Sequence, residues 1–193
     1  KTNAIAALLT PMLRGIYKEQ TSRTPIMLYA ANQPGTGKDY LANITGIVYS
    51  GIAAEETPLV DGSNVYNEEF RKKVLARAIS GHTRYHSANN RGHLDSVALE
   101  QTNTNTQITD RKLGTTNDLS YPNIIEFSLS ANIGFTYTRD FARRCIIINQ
   151  FSSVENVNKR KFQNPDLHNW IKENRSKILG ALYTLIKYWI KND

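Results

Sequence analysis

Apolar side chains in the first segment fall at Ile5, Leu8, Leu9, Met12, Leu13 and Ile16, the i, i+3, i+4, i+7 spacing of an amphipathic helix over 3–18. Pro11 interrupts that run, so a kink or a late start is expected. Residues 26–30 are short, uniformly apolar and bounded by Pro25 and a glycine-rich turn, which predicts a buried strand. After Lys38 the pattern returns to helix, ending near Ser50 ahead of Gly51. A polar stretch over 53–66 follows, with a short strand at 58–60. Asn67 is placed to cap a helix over 68–80 whose first turn is acidic and whose end is followed by Gly81.

Residues 83–88 read as a strand, followed by a loop over 89–93 and a short helix from about Asp95. The Thr- and Asn-rich stretch 101–120 reads as loop with one short helix or hairpin. Two more strands are expected, the alternating IIEFSLS of 124–130 and the apolar CIIIN of 145–149. From 165 to 191 the pattern is helical, with Leu167, Trp170, Ile171, Ile178, Leu179, Leu182, Leu185, Ile186 and Trp189 on apolar faces, and a break near 173–176 divides it. Strands alternating with helices predict an α/β domain with a mostly parallel sheet, closed by a C-terminal helical tail.

At 193 residues the chain has the length of one domain. It divides into an N-terminal helix over 1–20, a core over 24–152 and a helical segment over 160–193. It begins with Lys1, which reads as a piece of a longer protein or a processed product. The composition, 40% hydrophobic and 21% charged, is that of a globular protein. The longest apolar stretch, 178–190, is broken by Lys187 and falls short of the ~20 residues of a membrane span, so no membrane partner is expected. Cys145 stands alone, which excludes an internal disulfide and points to a reducing cytoplasm. His82, His86, His93 and His168 lack the spacing of a zinc site. A net charge of +7, with basic clusters at 71–73, 139–144 and 159–161, suits a nucleic-acid partner and equally a mildly basic soluble protein.

The chemistry concentrates at the turn between the first strand and the helix after it. Asn32, Gln33, Pro34, Gly35, Thr36, Gly37, Lys38, Asp39 and Tyr40 follow a buried strand and open a helix. In a phosphate-cradling loop, glycines let main-chain N–H groups converge on phosphate oxygens, and the helix points its positive end at the same anion. Lys38 would reach the outer phosphates of ATP. Two positions depart from G-x-x-x-x-G-K-[ST]: Asn32 replaces the first glycine and Asp39 the magnesium-binding hydroxyl. The alternative is a Gly-Pro turn that happens to precede a lysine.

Further segments follow in a fixed order: Glu69 to Gly81, Ala88-Asn-Asn-Arg-Gly-His-Leu-Asp-Ser96 with Leu99-Glu100, and Asp110-Arg-Lys-Leu-Gly114. After these come Pro122-Asn123, Ser130-Ala-Asn132, Asp140-Phe-Ala-Arg-Arg144, Arg160-Lys-Phe162 and Pro165 to Trp170. This order resembles the AAA+ P-loop ATPases attached to primases in phages, plasmids and integrative elements. The resemblance spans about 26–190. It implies a three-layer P-loop core, with ATP and Mg2+ as cofactors. It also implies that Asn132 senses the γ-phosphate and places the attacking water, the alternative being a turn-forming Asn. Arg143 and Arg144 would reach a neighbouring subunit's nucleotide as fingers, or else form a helix-end salt bridge with Asp140. Arg175 would be a second sensor on the tail, or an ordinary surface arginine.

In the family a strand-end aspartate holds magnesium, and Ala88 stands there. A carboxylate at Asp39, about 4 Å from a phosphate charge, would cost roughly 4 kcal/mol at an effective dielectric of 20. It must therefore turn away or sit on a bridging cation. Either Asp39 is a relocated Mg2+ ligand, or the site has decayed. The function implied is an ATP-driven DNA helicase of a mobile element, working as a homo-oligomeric ring beside an upstream primase, with loops 89–93 or 101–109 lining the pore. The alternatives are a nucleotide-binding initiator or structural subunit without turnover, and a P-loop kinase.

Overall fold

Residues 26–31 form an inner strand with both faces covered, which is why they read as a continuous apolar run. The run from Cys145 stops at Ile148, ahead of Asn149 and Gln150. The computed structural model describes residues 1–16, 23–111, 117–153 and 163–192. The first half comprises α1 (Thr2–Arg14), β1 (Ile26–Ala31), α2 (Lys38–Ser50), β2 (Val60–Asp61), β3 (Asn64–Val65), α3 (Asn67–Ile79), β4 (Arg84–Asn90) and β5 (His93–Leu94). The second comprises α4 (Val97–Thr104), β6 (Gln107–Arg111), β7 (Asp118–Pro122), β8 (Glu126–Asn132), β9 (Thr136–Tyr137), α5 (Arg139–Arg144), β10 (Cys145–Gln150), α6 (Leu167–Glu173) and α7 (Arg175–Asn192).

The main sheet has the order β10-β1-β8-β4, and every pairing in it is parallel. The fold is thus mixed α/β with a parallel sheet and a C-terminal helical tail, as the alternation of patterns predicts. Register aligns Ala31 with Asn132 on one side and Gln150 on the other, so these strand ends share one edge. Glu56 extends the far side of β4 by one residue: its N–H donates to His86 O (2.7 Å) and its carbonyl accepts from Ala88 N (3.1 Å).

Alternation along β1 assigns the layers. Leu28 enters a cluster with Phe70 of α3, Leu99 of α4, Phe141 of α5 and Phe127 and Leu129 of β8. Met27 and Tyr29 face the other way, onto Ala7 of α1, Ala42 of α2 and Ile148 of β10. The tail closes over α2 through Ile47, Val48, Ile171 and Leu182. Each fully buried large side chain contributes about 1.5–3 kcal/mol.

Local chemistry explains where the elements depart from expectation. α1 runs through Pro11 and stops before Gly15. Asn67 is not a cap. It is the first helical residue of α3, and its Oδ1 accepts from Ser96 Oγ (2.6 Å), tying α3 to α4. The strand expected at 58–60 is the small antiparallel hairpin of β2 and β3 about Gly62. β8 starts two residues later than the alternation suggests. Asn123 pins the chain ahead of it, donating from Nδ2 to Thr102 O (2.6 Å) and Asn105 O (2.9 Å) and accepting from Ile125 N (3.3 Å). Stretch 101–120 resolves into the end of α4 and the antiparallel pair β6 and β7. The tail breaks at Asn174, as expected. Among the described residues no helix is long and apolar enough to cross a membrane.

The stretch 89–93 is not a projecting loop. Arg91 N donates to Val60 O (3.1 Å), Gly92 O accepts from Thr136 N (3.0 Å), and His93–Leu94 pairs in parallel with Thr136–Tyr137. Of the motif segments read from sequence, 112–114, 159–161 and Phe162 lie outside the described residues.

Candidate functional site

β1 ends in mid-sheet, and the chain passes through the turn 32–37 straight into α2. The side chains of Asn32 and Gln33 serve the scaffold. Asn32 Nδ2 donates to Ser152 O (2.8 Å) and its Oδ1 accepts from Ser152 N (2.9 Å), while Gln33 Nε2 donates to Ser152 O (3.1 Å). The turn is thereby clamped to the chain leaving β10. Pro34, Gly35 and Gly37 are exposed and Thr36 is buried.

Gly37 has φ 91° and immediately precedes α2. A Cβ there would meet nothing nearer than Tyr40 Cβ at 4.0 Å, so the demand for glycine is torsional rather than steric. Among the described residues no side chain caps α2, and its first-turn N–H groups have no intrahelical acceptor. An anion at the sheet edge is the natural partner of such a terminus.

Lys38 is buried, and its Nζ donates to Asp39 Oδ2 (2.7 Å) and Asn89 Oδ1 (2.9 Å). Asp39 Oδ1 in turn accepts from Ser130 Oγ on β8. His86 Nε2 lies 3.6 Å from the same oxygen, and His86 Nδ1 sits 2.9 Å from Ser128 Oγ. Burial works to raise the Asp39 pKa, but His86, Lys38 and Ser130 outweigh it and hold the carboxyl well below the usual range. Burial depresses the His86 imidazole against the opposing pull of Asp39, so the ring stands neutral. The carboxylate thus turns inward onto Lys38, one of the two arrangements its charge allows.

Ala88 is buried, and the polar strand-end group that meets Lys38 is its neighbour, Asn89. Asn89 holds φ 58°, the one positive value at a non-glycine among the described residues, and its N–H donates to Ser130 Oγ (2.9 Å). Asn tolerates this left-handed conformation better than most residues. Among the described residues, neither the buried Oδ1 of Asn132, the last residue of β8, nor Thr36 Oγ1 has a hydrogen-bond partner. A cleft of about 470 Å3 between the ends of β1, β8 and β10 touches Asn32 and Asn132.

These features fit a polyphosphate: an uncapped helix start, a buried lysine, and the Thr36 hydroxyl, which can donate. Asn132 Oδ1, an acceptor, suits a water beside the phosphates rather than a phosphate oxygen. For Mg2+ the donor set is thin. Among the described residues no group of three or more His, Cys, Asp or Glu gathers to hold a metal. Asp39 alone suits a cation carried in on phosphate oxygens, which Mg2+ prefers to an all-protein cage. To serve so, its carboxylate must let go of Lys38.

Three predicted arginines do not reach this edge. Arg175 lies at the opposite end of α2, where Nε donates to Val48 O (2.8 Å) and Nη2 to Tyr49 O (3.1 Å), capping the helix C-terminus. Arg143 and Arg144 sit at the start of β10, and Arg144 makes a two-pronged pair with Asp140 (2.9 and 3.1 Å). Tyr40 stacks on His168 of α6, with centroids 3.5 Å apart, and helps seat the tail.

Ser130, His86 and Asn89 also belong to this cluster, roles that no contiguous motif assigns them. Their signal is the polar alternation Ser128, Ser130 inside a central strand, where an apolar residue is the rule.

No protein-family model and no curated protein matches the chain. Its fold is similar to the apo A-form structure of the C-terminal region of NrS-1, with a TM-score of 0.52 and 16% sequence identity. The likeness covers 87% of this chain and 38% of that one, so the chain spans well under half of the neighbour's length. At this identity the similarity is one of fold.

Proposed function

We propose that the chain is the ATP-binding module of a DNA-replication motor of the primase-helicase type. The observation that carries the reading is the meeting of Lys38, at the uncapped start of α2, with Asn89 and Asp39 at the C-terminal edge of a parallel sheet. Parallel α/β sheets bind ligands at that edge. The fold likeness to the C-terminal region of NrS-1, a phage primase-helicase, supports the reading at the level of architecture.

On this reading the turn 32–37 holds the phosphates by main-chain N–H groups. Lys38 exchanges Asp39 for a phosphate oxygen, and Asn132 turns its amide to the attacking water. Mg2+, when bound with the nucleotide, neutralises phosphate charge. Arg143 and Arg144 are separated from their own turn by the six residues of β10, about 20 Å. They serve only a neighbour's nucleotide, in a ring, once Arg144 leaves Asp140. The +7 charge supplies the attraction to a DNA backbone.

A second reading, nucleotide binding without turnover, is favoured by one observation: Lys38 is already neutralised by Asp39. Equilibrium binding of ATP and DNA-stimulated phosphate release, measured on the chain and on Lys38→Ala, test both. ATP affinity is expected to fall at least tenfold in the variant. Equal affinity in the two proteins removes the nucleotide site. Binding without release in the presence of DNA and Mg2+ selects the second reading.

A further inference from the structure

The opposite end of the sheet carries a cavity of about 760 Å3 for which the proposed function has no use. Its walls include Arg14, Tyr49, Tyr121, Pro122, Ile124 and Glu126. Its volume lies in the range of small-molecule sites, about 300–1,000 Å3. Two polar groups on that wall are unmatched. The Glu126 carboxyl accepts no hydrogen bond from any described residue, although it is largely buried. Arg14 Nη1 is buried without a partner among the described residues, while Nη2 donates to Asn123 O.

A third charge stands beside them but is already engaged. Arg84, opposite Glu126 in the β4–β8 register, donates to Ala42 O (2.6 Å) and, at 3.4 Å, to Asn43 Oδ1 and Ala54 O. Gly46 makes room for it, since a Cβ there would fall 2.8 Å from its Nη1.

The unmatched pair defines a ligand. Above about pH 7, where Glu126 is ionised and acceptor-only, the carboxylate beside an N–H donor asks for a molecule presenting N–H and carbonyl groups side by side. Two guanidiniums repel a cation, and the carboxylate refuses an acceptor-only group at its own position, so the recognised edge carries N–H and carbonyl groups without a formal charge. Tyr49, Tyr121 and Pro122 offer faces on which a flat ring packs.

We propose that this cavity binds a guanine base, its N1–H and N2–H donating to Glu126 and its O6 accepting from Arg14. Guanine supplies two adjacent N–H donors for one carboxylate, whereas the adenine edge supplies one exocyclic amine. The base comes either as a free nucleoside or as an unstacked base of a single strand, which proteins read on the same edge. The inference does not depend on the nucleotide reading of the turn 32–37.

Calorimetric titration of guanosine and adenosine into the chain, Glu126→Gln and Lys38→Ala tests it. Guanosine is expected to bind about tenfold more tightly than adenosine, and Glu126→Gln to abolish that preference while its circular dichroism stays that of the folded chain. Tyr121→Ala, on an exposed hairpin, is expected to weaken both nucleosides. Lys38→Ala is expected to leave guanosine binding intact, which separates this site from the turn. An all-thymine oligonucleotide, compared with one carrying a single guanine, distinguishes the sources: a gain from the guanine assigns the strand, and no gain alongside guanosine binding assigns the free nucleoside. No saturable guanosine binding, equal affinity for the two nucleosides, or an unchanged preference in Glu126→Gln overturns the proposal.

Discussion

Replacing Glu126 by Gln is expected to make the chain more stable at alkaline pH and to leave it little changed in mild acid. Burial pushes this carboxyl from 4.5 up to about 7, against the opposing pull of Arg14 and Arg84. Between those values the unfolded chain has released the proton that the folded chain retains. Stability therefore falls as pH rises through the window, the reverse of a salt-bridged carboxylate. Moving the carboxyl from 4.5 to about 7 corresponds to roughly 3 kcal/mol, of which about 2.5 kcal/mol develops between pH 5 and pH 8. Gln keeps the shape and does not titrate. Urea unfolding of both proteins followed by circular dichroism at pH 5, 6, 7 and 8 measures the difference, in which groups common to both, Asp39 among them, cancel. A difference that stays constant across this range, or that grows toward acid, refutes the burial argument.

Two further substitutions probe the edge and its support. Gly92→Ala places a Cβ 2.0 Å from Gly62 O at φ 93°, so backbone must move, and a loss of about 2 kcal/mol or more is expected by thermal or urea unfolding. Stability within a few tenths of the parent would mean that the β2–β3 hairpin is not held there. Asp39→Asn removes the counter-charge from Lys38. ATP measured with a chelator present is expected to bind more tightly, and the gain conferred by Mg2+ to disappear. Retention of the full Mg2+ effect rules out Asp39 as the ligand.

Much of the architecture is written in the alternation of apolar residues. Residues 26–31 are apolar on both faces because the strand lies inside the sheet with both faces covered, while the apolar run of β10, at the sheet edge, stops at Ile148. Gly51 ends α2 as expected, in a left-handed conformation that suits glycine. What local pattern does not carry is long-range side-chain bonding. Asn67 has the chemistry of a cap, yet Ser96, 29 positions on, takes its side chain. Arg175 reads as a surface residue or a sensor, and only the packing of the tail brings two carbonyls of α2 to it. The turn 32–37 was legible because its chemistry is contiguous. The partners of Lys38 and Asp39 were not, because Asn89 and Ser130 come from two other strands and meet only through the sheet register.

α2 links two events that sequence places far apart. Its 13 residues form a strut of about 20 Å with Lys38 at one end and the Arg175 clasp at the other. A rigid rod gripped at both ends does not let one end shift alone. If phosphate binding at the turn shifts α2 as a body, the Arg175 clasp passes that shift to the junction of α6 and α7.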